Sequence, residues 1–266
     1  MPGQPRRAST ALEVYNRDFA WCPVRVLLLS DIHSNLEALE ACLAAAPAYD
    51  AAVNLGDIVG YAANPNEVVE RSRQVGNIFV RGNHDKAVCG LDSIQTFNPI
   101  AASAIFWTKK TIARKNLDFL ARLKQSPEII HDTITICHGA PFDEDYYIFG
   151  EFDAAEAFSY IQTPLCFFGH THFPFVYAEK EGNVEGTFLE GNANEIKLEK
   201  GVRYLINPGS VGQPRDRNPR AAYATFDSDS RVVRFFRVDY DIEAAKKKIL
   251  DEKLPPALAE RLSLGI

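Results

Sequence analysis

Short apolar runs alternate with helical stripes through the first half of the chain. Val24–Ser30 (VRVLLLS) is rich in branched residues and lies between Pro23 and a polar cluster, which predicts a buried strand. Asn35–Ala46 places Leu36, Leu39 and Leu43 on one helical face and stops at Pro47. Ala51–Leu55 predicts a second buried strand. Asn64-Pro65 then opens a helix over Asn66–Gln74, and Asn77–Val80 reads as a third strand. Pro99–Lys124 is helical in pattern with a break near Lys115–Asn116. Ile129–Cys137 reads as one or two strands, and Asp153–Ile161 as a helix before Pro164.

The second half changes character. Leu165–Phe168, Phe173–Glu179, Val184–Leu189, Val202–Ile206, Ala221–Phe226 and Arg231–Tyr240 are strand candidates joined by short turns. Such a run predicts antiparallel pairing and a second sheet packed on the first. Asp241–Lys253 and Pro256–Leu262 predict surface helices. Residues 1–23 show no period and read as an N-terminal extension, with Tyr15, Phe19 and Trp21 as its possible anchors. The expected organisation is that extension, one α/β domain over 24–240, and a helical segment over 241–266 packed on it.

Composition narrows the function. The 266 residues are 46% hydrophobic and 24% charged, which fits a globular chain and excludes a disordered or fibrous one. With 29 Lys+Arg against 35 Asp+Glu the net charge is −6, a poor basis for a stable nucleic-acid complex. No window reaches 18 apolar residues, and the N-terminal stretch lacks the apolar core of a secretory signal. Five cysteines without a CxxC pair suggest reduced, buried thiols and a cytoplasmic setting.

The chemistry follows the strands. Asp31-Ile32-His33, Gly56-Asp57, Gly82-Asn83-His84-Asp85, His138-Gly139 and Gly169-His170-Thr171-His172 each sit directly after an apolar run. Ligands of open α/β sheets lie beyond the carboxyl ends of the strands, so five ends converge on one cleft. In extended backbone Asp31 and His33 point the same way, as do His170 and His172. Any one of these signatures alone is ordinary turn chemistry; together they describe a metal site. Imidazole, carboxylate and amide oxygen without thiolate suit Mn²⁺, Fe, Zn²⁺ or Ni²⁺. Asp31, His33, Asp57, Asn83, His138, His170 and His172 are too many for one tetrahedral ion but fit two ions sharing a carboxylate. Two such ions with two carboxylates and a bridging hydroxide keep a net charge of about +1 and attract an anion. Ions roughly 3.5–4 Å apart stabilise both the attacking and the leaving oxygen of a phosphoryl displacement, so phosphoester hydrolysis by a metal-bridging hydroxide is expected.

These blocks, in this order from about Val24 to Asp216, resemble the calcineurin-like metallophosphoesterase superfamily. DIHSNLEALEA, GDIVGYAANPNEVVE, RGNHD, FGHTHFP and INPGSVGQPRD look like the small prokaryotic YfcE-type phosphodiesterases and their diadenosine-polyphosphate-hydrolysing relatives. The resemblance implies a four-layer α-β-β-α sandwich with two mixed sheets face to face. It implies one ion on Asp31, His33, Asp57 and His172 and another on Asp57, Asn83, His138 and His170, with Asp57 as the bridge. It also implies that His84 faces the leaving or a phosphoryl oxygen without binding metal. Gly60 stands where protein phosphatases of this superfamily carry an acidic partner for that histidine, and Asp85 stands where they favour Glu, so both residues argue against a protein phosphatase. That activity and a phosphomonoesterase are the alternatives within enzymes. A metal-free interaction scaffold is the alternative outside them, and the complete ligand set disfavours it.

Further candidates surround this set. Ser210, in Asn207-Pro208-Gly209-Ser210, and Arg215, in the basic cluster with Arg217 and Arg220, are candidate substrate contacts, the arginine as a phosphate clamp. Tyr146, with Tyr147 and Phe149, is a candidate stacking surface for a base. His131 matches no block. The expected partner is a small phosphoester or nucleotide, with no membrane.

Overall fold

The computed structural model describes residues 24–76 and 78–266; the expected N-terminal extension lies outside them. The chain order begins with β1 (Arg25–Leu29), α1 (Leu36–Ala45), β2 (Ala51–Asn54), α2 (Pro65–Val75), β3 (Ile78–Phe79), α3 (Asn83–Val88), α4 (Pro99–Thr111) and α5 (Arg114–Leu120). It continues through β4 (Glu128–Ile130), β5 (Ile134–Ile136), α6 (Glu151–Tyr160) and β6 (Leu165–Phe167). The rest comprises β7 (Pro174–Lys180), β8 (Asn183–Phe188), β9 (Ala193–Lys197), β10 (Arg203–Pro208), β11 (Ala221–Asp227), β12 (Val232–Val238), α7 (Ile242–Asp251) and α8 (Pro256–Leu264).

Among the described residues the strands form two mixed six-stranded sheets, ordered β3-β2-β1-β11-β12-β9 and β4-β5-β6-β10-β7-β8. In the first, β1 pairs in parallel with β2 and antiparallel with β11. In the second, β6 runs parallel to β5 and β10, and β10 antiparallel to β7. The period-two alternation of β1 explains the layering. Val26 and Leu28 point into the core between the sheets with Leu55, Phe167, Ile206 and Phe226. Leu27 and Leu29 point outward to Leu39 and Cys42 of α1. On the other side, Phe158 of α6 covers Cys166, Tyr177 and Leu205. This is the expected four-layer sandwich. It leaves the parallel strands β1, β2, β5, β6 and β10 ending at one rim.

The structure corrects one local expectation and adds two elements that the pattern did not indicate. The helical break after α4 falls at Ile112-Ala113, earlier than Lys115–Asn116, where the Asn66 side chain accepts from Ala113 N at 2.7 Å and receives Asn116 Nδ2 at 2.9 Å. The polar stretch Ala193–Lys197 is a strand despite its weak pattern, because it lies at a sheet edge and only alternate residues are part-covered. Asn83–Val88 is a helix: Asp85 accepts from Gly82 N and so caps it.

Candidate metal centre

The seven candidate ligands and His84 meet at this rim. Asp31, His33, Asp57, His84, His138, His170 and His172 are all at most 3% exposed. The route there differs from the expected one. Asp31, His33, Asp57, His170 and His172 have φ between 50° and 66°, so left-handed turns, and no continuation of the strands, aim these side chains. Each such turn costs a non-glycine residue about 1–2 kcal/mol, which the surrounding hydrogen bonds must hold in place.

Those bonds also set the tautomers. His33 Nδ1 faces the Val59 carbonyl at 3.2 Å and His138 Nδ1 the Leu55 carbonyl at 2.8 Å. His172 Nδ1 faces the Gln213 carbonyl at 2.6 Å, and His170 Nε2 the Asp145 carbonyl at 3.0 Å. A carbonyl only accepts, so each of these nitrogens carries the hydrogen, and each opposite nitrogen of a neutral ring is left as a lone pair. The inward atoms are therefore Nε2 of His33, His138 and His172 but Nδ1 of His170. They face one another in close pairs: His33 with His172 and His138 with His170, each at 3.1 Å.

Carboxylates complete both clusters. Asp31 Oδ2 accepts from Ser30 Oγ and His170 N, whereas its buried Oδ1 has no hydrogen-bond partner and lies 3.4 Å from His172 Nε2. Asp57 Oδ1 accepts from His84 N at the start of α3. Its Oδ2 lies 3.5 Å from His33 Nε2 and 3.5 Å from His138 Nε2, between the two clusters. Gly82 permits this approach, because a Cβ there would run into the Asp57 carboxylate. Asn83 Oδ1 lies 3.3 Å from His138 Nε2. Within Asp31–His33–His172, within Asp57–His138–His170 and within His33–Asp57–His84, the donor atoms all lie within 4.8 Å of one another. A buried unpartnered carboxylate oxygen facing imidazole lone pairs fits a divalent cation.

Protonation follows burial. Burial holds His33, His170 and His172 well below the usual imidazole range, and pushes His84 down to about 4. Burial raises Asp31 to about 6 and, with the Asp57 charge, Asp85 to about 7. Burial works against charge at Asp57 and His138 too, but their mutual attraction outweighs it, holding Asp57 low and raising His138 to about 10. A cation held by these residues would compete with that proton.

His84 has no acidic partner at residue 60. Gly60 has φ +109°, and a Cβ there would sit 2.5 Å from His84 Nδ1, a buried atom without a hydrogen-bond partner. The ring is instead packed by Tyr61 and Phe97, with centroids at 4.5 and 5.1 Å. Asp85 accepts from the backbone of Gly82, Ile58 and Val59, locking α3 to the Asp57 loop.

A cavity of about 300 Å³ opens over the cluster, lined by Tyr61, Phe97, Tyr147 and Arg215 among others. Of the proposed substrate contacts, Arg215 reaches it. Ser210 does not: its buried hydroxyl donates to Asp31 O and accepts from Gln213 N, which makes it a brace for the ligand loop. Tyr146 is likewise turned away, with its hydroxyl on Asp153 and its ring on Phe142; Tyr147 takes the cavity position. Arg220 pairs with Asp239, so the basic cluster does not act as one clamp. Phe97 carried no sequence signal, since it follows no strand and belongs to no polar block. Of the cysteines, Cys42, Cys89, Cys137 and Cys166 are free thiols. Among the described residues no helix is long and apolar enough to cross a membrane.

Comparison with known proteins agrees with this geometry. The model of the calcineurin-like phosphoesterase superfamily domain matches residues 24–231. An uncharacterized protein of Methanocaldococcus jannaschii is 44% identical over 249 residues, covering 90% of this chain and 98% of that protein. The crystal structure of a metallophosphoesterase from Sphaerobacter thermophilus is 40% identical with a TM-score of 0.83, covering 92% of this chain and all of that one. A hypothetical protein from Pyrococcus horikoshii OT3 shares the fold at 20% identity, with a TM-score of 0.73, and covers 91% of this chain and 99% of that one. The chain belongs to the calcineurin-like phosphoesterase superfamily.

Proposed function

From that membership we propose that the protein is a dinuclear metal-dependent phosphodiesterase, with water as the nucleophile. The superfamily uses divalent metals, and the observation that carries the reading is the set of four buried imidazoles, each fixed by a backbone carbonyl, aimed with Asp31 and Asp57 at one place. Asp31, His33, Asp57 and His172 would hold one ion, and Asp57, Asn83, His138 and His170 the other. Mn²⁺, Fe, Zn²⁺ and Ni²⁺ all suit these donors. Ions bound there supply Lewis acidity at the phosphoryl oxygens.

The chain's own groups orient the substrate. Arg215 Nη2 donates to Tyr61 Oη at 3.3 Å and to Gln213 Oε1 at 3.4 Å, both neutral oxygens. Arg203, Arg220 and Arg237 by contrast pair with carboxylates. Arg215 therefore keeps its charge for a non-reacting phosphoryl oxygen. His84, neutral and packed by Tyr61 and Phe97, offers one N–H to the leaving oxygen.

A diester is favoured over a monoester or phosphoprotein by Gly60, which leaves no room for the acidic partner of His84 that protein phosphatases carry. The test compares kcat/KM for bis-p-nitrophenyl phosphate and p-nitrophenyl phosphate with the Mn²⁺-loaded protein. The diester is expected to be hydrolysed at least as well. A monoester preference of about a hundredfold, worth about 2.7 kcal/mol at the transition state, selects the phosphatase reading instead.

A further inference from the structure

The cavity above the cluster has walls that phosphate chemistry alone does not require. Tyr61, Phe97 and Tyr147 all line it. The Tyr147 ring stacks on His170 at 3.8 Å and 29°, which fixes its plane at the edge of the cluster. Phe149 lies parallel to Tyr147, at 3° and 5.3 Å, and is 62% exposed, so the aromatic surface continues outward to solvent. Phe149 also meets Phe173 edge-on at 6.4 Å, so it joins the cavity wall to a second aromatic group while keeping most of its surface in solvent.

We propose that this cavity is a subsite for one planar aromatic substituent of a phosphodiester, a nucleoside, with Tyr147 as the stacking and specificity-determining residue. The proposal rests on the phosphodiesterase reading above and goes beyond it in naming the substituent. A volume of about 300 Å³ is at the small end of organic-ligand sites, so it encloses one nucleoside and leaves the other ester group at the open side. Asp92 and Asp145, both paired with Lys86, line the same cavity, with Arg215 the cation among its lining residues. Asn98 caps α4 through its Oδ1 alone, and its NH₂ is not used in that cap. Asn98 and Asp92 thus bring a donor and an acceptor to the edge of a base. Stacking tolerates every base, so discrimination among bases is expected to be small.

The test uses esters that share the p-nitrophenolate leaving group and differ only in the second substituent. With the Mn²⁺-loaded protein, thymidine 5′-(p-nitrophenyl phosphate) is expected to exceed ethyl p-nitrophenyl phosphate in kcat/KM by about tenfold or more. Tyr147→Leu is expected to bring that ratio below about threefold, and Tyr147→Phe to keep it, because the phenyl ring still stacks. Phe149→Ser, at a mostly exposed position, is expected to lower the ratio in the same direction. Equal hydrolysis of the two esters by the wild type, or an equal loss on both in Tyr147→Leu, overturns the subsite and leaves the phosphodiesterase reading standing. No hydrolysis of either ester overturns both.

Discussion

The two donor clusters use the same device with different support. Asp31, His33 and His172 are at most 1% exposed and are anchored by Ser30, Val59 and Gln213, all inside the sandwich rim. His138 shares that depth through Leu55, but its neighbour His170 is oriented by the carbonyl of Asp145, on a loop whose side chain is 39% exposed. That loop is pinned from outside. Lys86 of α3 meets Asp145 at 2.5 Å, Glu144 at 3.3 Å and Asp92 at 3.4 Å, and Arg81 holds Glu144 at 2.8 Å. Lys86 itself is only 11% exposed on its side chain, so this network is screened less than a surface pair. The difference predicts that two halves with similar imidazole donors retain ions unequally: one half is secured by backbone in the core, the other partly by ion pairs at the rim.

Breaking both halves at once gives the largest effect. Asp57→Asn removes the carboxylate between them and is expected to leave one tightly held ion or none and less than about one hundredth of the activity, read by elemental analysis and hydrolysis rate. Two tightly held ions in an active variant would refute the bridging role. His84→Ala leaves both halves alone. The rate is expected to fall by roughly 10²–10⁴ with metal content near wild type, and a leaving group of low pKa to recover part of it. Loss of metal would make His84 a ligand, as its place within 4.8 Å of the His33 and Asp57 donors allows. Lys86→Met separates the halves most finely. One ion is expected to bind as in wild type and the other about tenfold more weakly, in a metal titration. Equal weakening of both ions would erase the distinction between core and rim support.

The sequence carried the fold because the apolar runs were unambiguous: VRVLLLS with its alternating faces specifies a strand buried on both sides, and it is one. It carried the convergence of the polar blocks for the same reason, since parallel strands end together. What it hid was orientation. Nothing in Asp31-Ile32-His33 announces left-handed backbone, and nothing in His170-Thr171-His172 announces that one ring presents Nδ1 and the other Nε2. Those depend on carbonyls of Asp145 and Gln213, distant in sequence. Ser210 and Tyr146 do not line the cavity: adjacency to a functional block does not reveal which way a side chain turns. Gly60 shows the opposite case. Its missing side chain was visible at once, but its consequence needed the position of the His84 ring.

The central claim is that two ions, held by unequal halves of one site, are needed for hydrolysis. Stripped protein titrated with Mn²⁺ while bound metal and bis-p-nitrophenyl phosphate hydrolysis are followed together tests it directly. The expected result is a first ion that binds tightly with little activity, then a weaker second ion with which the rate rises, ending at two per chain. Full activity at one ion per chain would contradict it.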